Sequence, residues 1–296
     1  MISYGIKTQG RIIRIAQIDG DKYKFVDDPE PILHNLRNSE PRPDIFTFLQ
    51  RLPDASPHFK YPMELDNLAV LSISSFDHWW NNTLGFKARN KAKQAAKKGV
   101  IVREVPFDDE LVRGISAIYN ECPVRQGRRF PHYRRSIEAV HRISGTFPDS
   151  SLFIGAFLAD RLIGFIKLVW DDSLTQAGMM HIISMIQHRD KAPTNALVAQ
   201  AVRSCADRGI PYLVYSNFSY GHKERSGLSD FKERNGFSRI QLPRYYVPLT
   251  ALGRVALAWG LHHKLVDYMP EAIAARARDF RYQWYKRRFP ASALDS

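Results

Sequence analysis

The sequence predicts an α/β protein, a central sheet covered by helices on both faces, and three observations carry that expectation. Residues 151–170 form two apolar runs around Ala159-Asp160-Arg161, and in the first run both alternating sets, Phe153, Gly155, Phe157 and Ile154, Ala156, Leu158, are apolar. A strand without a polar face is buried on both sides. The second observation is order. A further apolar strand at 177–185 feeds a polar turn at 187–195 and then a helix whose stripe is Leu197, Val198, Ala201, Val202 and Cys205, stopped by Gly209 before a strand at 212–218. The third is a pair of amphipathic stripes upstream, at 77–98 and 108–122, which supply covering helices.

The bulk figures fit that class. The chain has 296 residues, 44% hydrophobic and 25% charged, ample for a large core. Lys plus Arg number 43 against 30 Asp plus Glu, and a net charge of +13 favours anionic partners: nucleic acid, anionic lipid or phosphorylated small molecules. The two cysteines, Cys122 and Cys205, sit in helical stripes, which argues against a disulfide framework or a thiolate metal site and for a reducing cytoplasm. Residues 1–15 lack the apolar run of a signal peptide, and no stretch reaches the roughly 20 apolar residues of a membrane span. The expected location is cytoplasmic, with peripheral contact at the inner face of the membrane.

Three segments follow in order: 1–75, a hairpin and a proline-rich accessory stretch; 76–249, a catalytic domain; and 250–296, a basic, aromatic helical tail. Alternation at Ile13, Ile15, Ile18, Tyr23 and Phe25 around Asp19-Gly20 predicts a hairpin over 11–28. Prolines 29, 31, 41, 43, 53, 57 and 62 restrict the next stretch to a short helix at 44–51. The spacing of Trp80, Leu84, Ala88, Ala92 and Ala95 predicts one long helix to Gly99. Its other faces carry Lys87, Arg89, Lys91, Lys93, Lys97 and Lys98 without an acid, so contact with an anion competes with a merely solvated face.

Leu111, Val112, Ile115, Ile118 and Tyr119 define the helix at 108–122, and Glu121 near its end is a weak base candidate. The loop at 123–133 combines prolines, a glycine and aromatics with Arg125, Arg128 and Arg129, a composition suited to gripping an anion or stacking on a ring. The tail reads as helix broken at Pro270, with Arg276, Arg278, Arg281, Lys286, Arg287 and Arg288 among Phe280, Trp284 and Tyr285. His262 and His263 are adjacent, so on a helix they point apart and make a poor metal pair; no metal is expected.

At 187–195, Thr194 or Asn195 can cap the helix that follows, turning its first N–H groups toward a spot where Arg189 and Lys191 add positive charge. A pyrophosphate finds donors and cations together there.

The sequence of hairpin, third strand, anion-binding turn, helix, fourth strand, short helix and Gly-Phe resembles the GNAT acyltransferase superfamily. The wording is similar to its Fem-type branch of peptidoglycan-bridge aminoacyltransferases: Asn195-Ala196-Leu197, Asp207-Arg208-Gly209-Ile210, Phe231-Lys232 before Gly236-Phe237, and Lys97-Lys98-Gly99-Val100. The resemblance covers roughly 79–249. It implies a mixed, mostly antiparallel sheet whose third and fourth strands splay apart near Ser184-Met185-Ile186, freeing the Ile186 N–H for a donor carbonyl. It implies His188 or Asp190 as proton shuttle and Tyr220 as acid for the leaving group. Arg189, Lys191, Thr194 and Asn195 then hold the donor, which is acyl-CoA or aminoacyl-tRNA. Lys232 and the arginine loop hold an amine or hydroxyl of an anionic, lipid-linked, cell-envelope or polysaccharide acceptor. The turn departs from the family's Gln/Arg-x-x-Gly-x-Gly/Ala form, because Arg189-Asp190-Lys191-Ala192-Pro193-Thr194 keeps only the arginine and two small positions, and Pro193 lacks an N–H. The rival reading is a catalytically inactive GNAT-like module that binds RNA or an anionic membrane through the lysine helix and the tail.

Overall fold

The computed structural model describes residues 5–125, 127–219 and 226–263, with positions 276, 280, 283–285 and 287–288 of the tail. In chain order the elements are β1 (Ile6–Gln9), β2 (Ile15–Ile18), α1 (Glu30–Arg37), β3 (Ile45–Leu49), β4 (Met63–Ser72) and α2 (Phe76–His78). A π-helical turn, Trp79–Thr83, leads to α3 (Phe86–Lys97), β5 (Val100–Val105), α4 (Asp109–Asn120), β6 (Val124–Arg125), β7 (Arg128–Arg129) and α5 (Ile137–Ser144). Then come β8 (Ser151–Leu158), β9 (Arg161–Trp170), β10 (Gln176–Ser184), a 3-10 turn Ile186–Lys191, and α6 (Pro193–Asp207). The chain continues with β11 (Tyr212–Asn217), α7 (Gly227–Arg234), β12 (Ser238–Pro248) and α8 (Ala251–Ala258).

Ten strands form one sheet in the order β1-β2-β3-β12-β4-β11-β10-β9-β8-β5. Its pairings are antiparallel except for β2 with β3 and β10 with β11. The apolar hairpin at 151–170 is therefore β8 and β9, and helices cover both its faces as its composition requires. Phe165 meets Tyr119 of α4 on one face, while the adjacent Gly164 lies against Leu197 of α6 on the other. Leu197, Val198, Ala201 and Val202 of α6 are fully buried, and α3 packs across α6.

The N-terminal part departs from its sequence reading. The hairpin is β1 with β2, Ile6 opposite Ile18 and Gln9 opposite Ile15, so the chain reverses near Gly10, where φ is +98°. Gly20 instead closes a tight turn that accepts from the Tyr23 and Lys24 N–H groups, and no strand returns through Tyr23 and Phe25. Residues 45–49 are a strand, not a helix, because Ile45, Phe46, Thr47 and Phe48 suit a pleated surface and every residue of β3 is buried between β2 and β12. The helix lies earlier, at α1, where Pro31 falls in the first turn and forfeits no hydrogen bond.

Residues 1–75 are also more than an accessory stretch: they supply β1 to β4, and β4 runs between β12 and β11 in mid-sheet. The long helix expected at 77–98 is broken. Leu84 turns extended and the Gly85 N–H donates to Arg234 O at 2.9 Å, so α7 meets the chain there; a Cβ on Gly85 would lie 3.0 Å from that oxygen. The helix break at Pro270 lies outside the described residues.

Candidate functional site

The site begins where β10 and β11 part. These parallel neighbours pair only at Gln176 with Tyr212, Ala177 with Leu213 and Gly178 with Val214. Just beyond, each strand is irregular: β10 shifts register against β9 between Met179 and His181, and β11 shifts against β4 between Val214 and Asn217, with Ser216 at φ +49°. A bulge adds twist and turns a strand away from its neighbour. The strands open into a cavity of about 1110 Å³.

One wall is the end of β10 from Ile182 to Ser184, unpaired on its β11 side, with Met185 and Ile186 beyond it, and the floor is the start of α6 at Ala192 to Asn195. The opposite wall is Tyr215 of β11 with Leu228, Phe231, Arg234 and Asn235, one face of α7. Lys87, Asn90, Lys91 and Gln94 of α3 line a third side, and Arg128, Arg129, Phe130 and Pro131 from the β6-β7 arm cover it. Among the described lining residues seven are cations (Lys87, Lys91, Arg125, Arg128, Arg129, Arg189 and Arg234) and none is a carboxylate, a lining suited to negative charge.

The cavity brings together Arg125, Arg128, Arg129, Ile186, Arg189, Thr194 and Asn195 of the residues expected from sequence. Their roles differ from expectation. The Ile186 N–H is already taken, donating to Glu121 Oε2 at 2.8 Å, and the Gln187 N–H donates to Oε1 at 3.0 Å. Glu121 also pairs with Arg125, whose other hydrogen bonds go to Ser184 O at 2.8 Å and Ile118 O at 3.0 Å. Burial pulls the Arg125 guanidinium below its usual pKa despite the Glu121 charge. Arg125 and Glu121 thus form a clamp that ties α4 to the end of β10. Thr194 is not a cap: its hydroxyl bonds Ser184 Oγ at 2.8 Å and latches α6 to β10. Ala192, left-handed at φ +52°, occupies the cap position without a side-chain bond, and the Asn195 N–H turns back to Ala192 O at 3.2 Å.

His188, Asp190, Lys191 and Lys232 do not line the cavity. The Asp190 carboxylate holds Lys98 at 3.2 Å and Lys191 at 3.3 Å, and the Lys98 hydrogen bond, ahead of that from Lys191, lowers its pKa. A carboxylate so held is a weak base, and Lys191 shares it with Lys98. Burial, then Lys191 and Arg161, pushes the His188 pKa down, and its Nδ1 has no partner among the described residues. Lys232 is wholly buried; its ammonium donates to Asn217 O at the end of β11 and lies 4.7 Å from the Tyr215 ring. Burial pushes its pKa down to about 8. It props the opened strand behind the cavity wall. Tyr220 lies outside the described residues.

Sequence reasoning missed Leu228, Arg234 and Asn235 as wall residues. With Phe231 they recur at helical spacing on α7, and that periodicity was the available signal.

No protein-family model and no curated protein matches the chain. Solved structures do. The C-terminal domain of a protein designated lysylphosphatidylglycerol synthetase, from Agrobacterium fabrum, is 13% identical, with 86% of this chain and 83% of that chain covered and a TM-score of 0.57. FemX is 10% identical, with 82% and 84% covered and a TM-score of 0.56. L-PGS from Bacillus licheniformis is 12% identical, with 85% and 83% covered and a TM-score of 0.57. These neighbours are GNAT-fold proteins. The large, mostly antiparallel sheet, its covering helices and the parting of β10 from β11 give this chain the GNAT-like fold that it shares with them.

Proposed function

We propose that the chain is an acyl or aminoacyl transferase that works in the cleft between β10 and β11, on an amine or hydroxyl of an anionic cell-envelope or polysaccharide precursor. The observation that carries this reading is the cavity itself, about 1110 Å³ between parted strands with seven cations and no carboxylate among its described lining residues. The name of one neighbour joins an aminoacyl group to a lipid phosphate, a pairing that suits such a lining.

The turn at 186–195 favours an aminoacyl-tRNA donor over acyl-CoA. A CoA pyrophosphate placed there would meet N–H groups already bonded to Glu121, a proline without an N–H, and a lysine already engaged by Asp190. An aminoacyl ester needs none of those donors, since the phosphates of tRNA lie outside the pocket, within reach of the acid-free Lys87, Lys91, Lys93 and Lys97 of α3. In the reaction the acceptor nitrogen or oxygen attacks the ester carbonyl, the carbonyl oxygen takes negative charge, and the ribose hydroxyl leaves with the proton that the nucleophile loses. The chain contributes positioning of donor and acceptor in one cavity, with cations facing the charge that develops.

The test is transfer of a radiolabelled aminoacyl group from tRNA, with binding read in parallel by thermal shift. Aminoacyl-tRNA is expected to raise the melting temperature and acetyl-CoA to leave it unchanged, and Arg128→Ala with Arg129→Ala to lower binding at least ten-fold. Failure of both donors to bind at micromolar concentration removes the transferase reading. The absence of an acid or imidazole from the described lining favours one rival, a module that binds RNA or an anionic membrane and turns nothing over. Tight binding without transfer to any acceptor extract selects that rival. Membrane contact fits the exposed Leu252, Val255 and Trp259 on α8 and the turn after it.

A further inference from the structure

We propose that Glu64, His262 and His263 form a divalent metal site of the zinc class. Nε2 of His262 and Nε2 of His263 each lie 2.9 Å from the same Glu64 Oε1, and the two imidazole centroids are 4.0 Å apart. All three ligand atoms fall within 4.8 Å of one another. None of the three residues lines the cleft cavity, so the site stands apart from the proposed transfer chemistry.

On a helix these neighbouring histidines would point apart. The helix has ended: α8 stops at Ala258, and Gly260 at φ +68° lets the Leu261 N–H return to Ala256 O at 2.8 Å and the His263 N–H to Gly260 O at 3.1 Å. That turn throws both rings to one side, over the start of β4. The His262 side chain is only 5% exposed, and the ring of Tyr246 from β12 packs against it at 4.7 Å. His262 Nδ1 has no partner among the described residues, so Glu64 at Nε2 is what orients that ring.

Two imidazoles and one carboxylate are borderline ligands, suited to zinc, cobalt or nickel and not to the oxygen-seeking calcium or magnesium. Ligands about 2.0–2.1 Å from a tetrahedral zinc ion sit about 3.3 Å from one another. The observed 2.9 Å separations from Glu64 are about 0.4 Å short of that spacing, and the two imidazole ligand atoms lie within 4.8 Å of each other. Binding moves the remaining proton of each imidazole to Nδ1 and leaves Nε2 as the ligand. Glu64 and His263 are partly exposed, so water completes the shell. Such an ion would join the exit of α8 to β4 by bonds in place of a hydrogen bond and an ion-pair contact on one carboxylate oxygen.

The experiment uses the full chain without a polyhistidine tag, stripped of metal, and titrated with Co²⁺ and then Zn²⁺. One equivalent of cobalt should bind with d–d absorption typical of four or five coordination, be displaced by zinc, and raise the melting temperature, since a ligand that binds only the folded state stabilises it. Glu64→Gln should weaken zinc at least ten-fold, and His263→Gln, at the more exposed ring, should remove the cobalt spectrum while the metal-free melting temperature stays within a few degrees. Substoichiometric binding, or equal binding by wild type and the His262→Gln, His263→Gln double variant, overturns the site.

Discussion

Lys232 shows what a residue's surroundings can do to its charge. It stands in a motif whose family resemblance implies an acceptor-binding lysine, yet its ammonium is buried against Asn217 O and the Tyr215 ring. Nothing local in Phe231-Lys232-Glu233 encodes that burial, because the groups that enclose it come from β11. The consequence is testable through pH. Its folded pKa is near 8 against an ordinary 10.5, so between those values the unfolded chain binds more protons than the folded one. Stability therefore rises with pH across roughly 8 to 10.5, and the strain of a buried charge is fully present below 8. Lys167, buried in β9 and also pushed down to about 8, contributes in the same direction. Lys232→Met should flatten part of that rise in urea titrations from pH 7.5 to 10; an unaltered slope would show that the ammonium is not desolvated. Arg128, Arg129 and Arg189 were legible as cavity cations because clustered arginines in a loop need no distant partner to declare themselves. Glu121 was not, since the N–H groups that it satisfies lie 65 and 66 positions away.

At the scale of elements, the helix and strand order of 151–248 was readable because each element carries its own period. That two of them part near Ser184-Met185-Ile186 was expected only from the family resemblance, because the irregularities at Met179–His181 and Val214–Asn217 leave no composition signal. The β3 segment misled for the opposite reason: flanking prolines argued for a short helix, and burial between two strands decided otherwise. The clamp from α4 to β10 is the element-scale device to test. Glu121→Ala leaves Arg125 without its counter-charge and two N–H groups without an acceptor. Breaking a buried pair costs about 3–5 kcal/mol. With side chains still about 15% exposed, the expected loss is about 2–3 kcal/mol, seen as a lower urea midpoint at constant m. Glu121→Gln, which still accepts one N–H, should lose less. A change under about 0.5 kcal/mol in Glu121→Ala, the size of an ordinary surface substitution, would mean that solvent replaces the clamp.

For the whole molecule, the excess of 13 positive charges is concentrated where it matters, around a cavity with no acid among its described lining residues. Composition made that excess visible, but only the fold gathers the lysines of α3, the arginines of the β6-β7 arm and Arg234 of α7 at one opening. The division at residue 75 does not mark a separable piece. Residues 76–296 produced alone would lack β4, leaving β11 and β12 each without a neighbour that they hold along most of their length. They are expected to give no cooperative thermal transition and to aggregate, whereas adding residues 1–75 as a separate polypeptide should recover soluble material. A soluble, cooperatively melting 76–296 fragment would contradict the sheet order.

Since β4 leaves the ribosome well before the strands on either side of it, the growing polypeptide must carry a half-apolar ribbon with both edges bare until β11, which begins at Tyr212, has emerged. Asn67 alone awaits a partner, Ser219, that is translated 152 residues later. Slow, late zipping of this kind exposes a nascent chain to intermolecular pairing, so yield in a cell should depend on chaperone supply and on growth temperature more than on the final stability of the product.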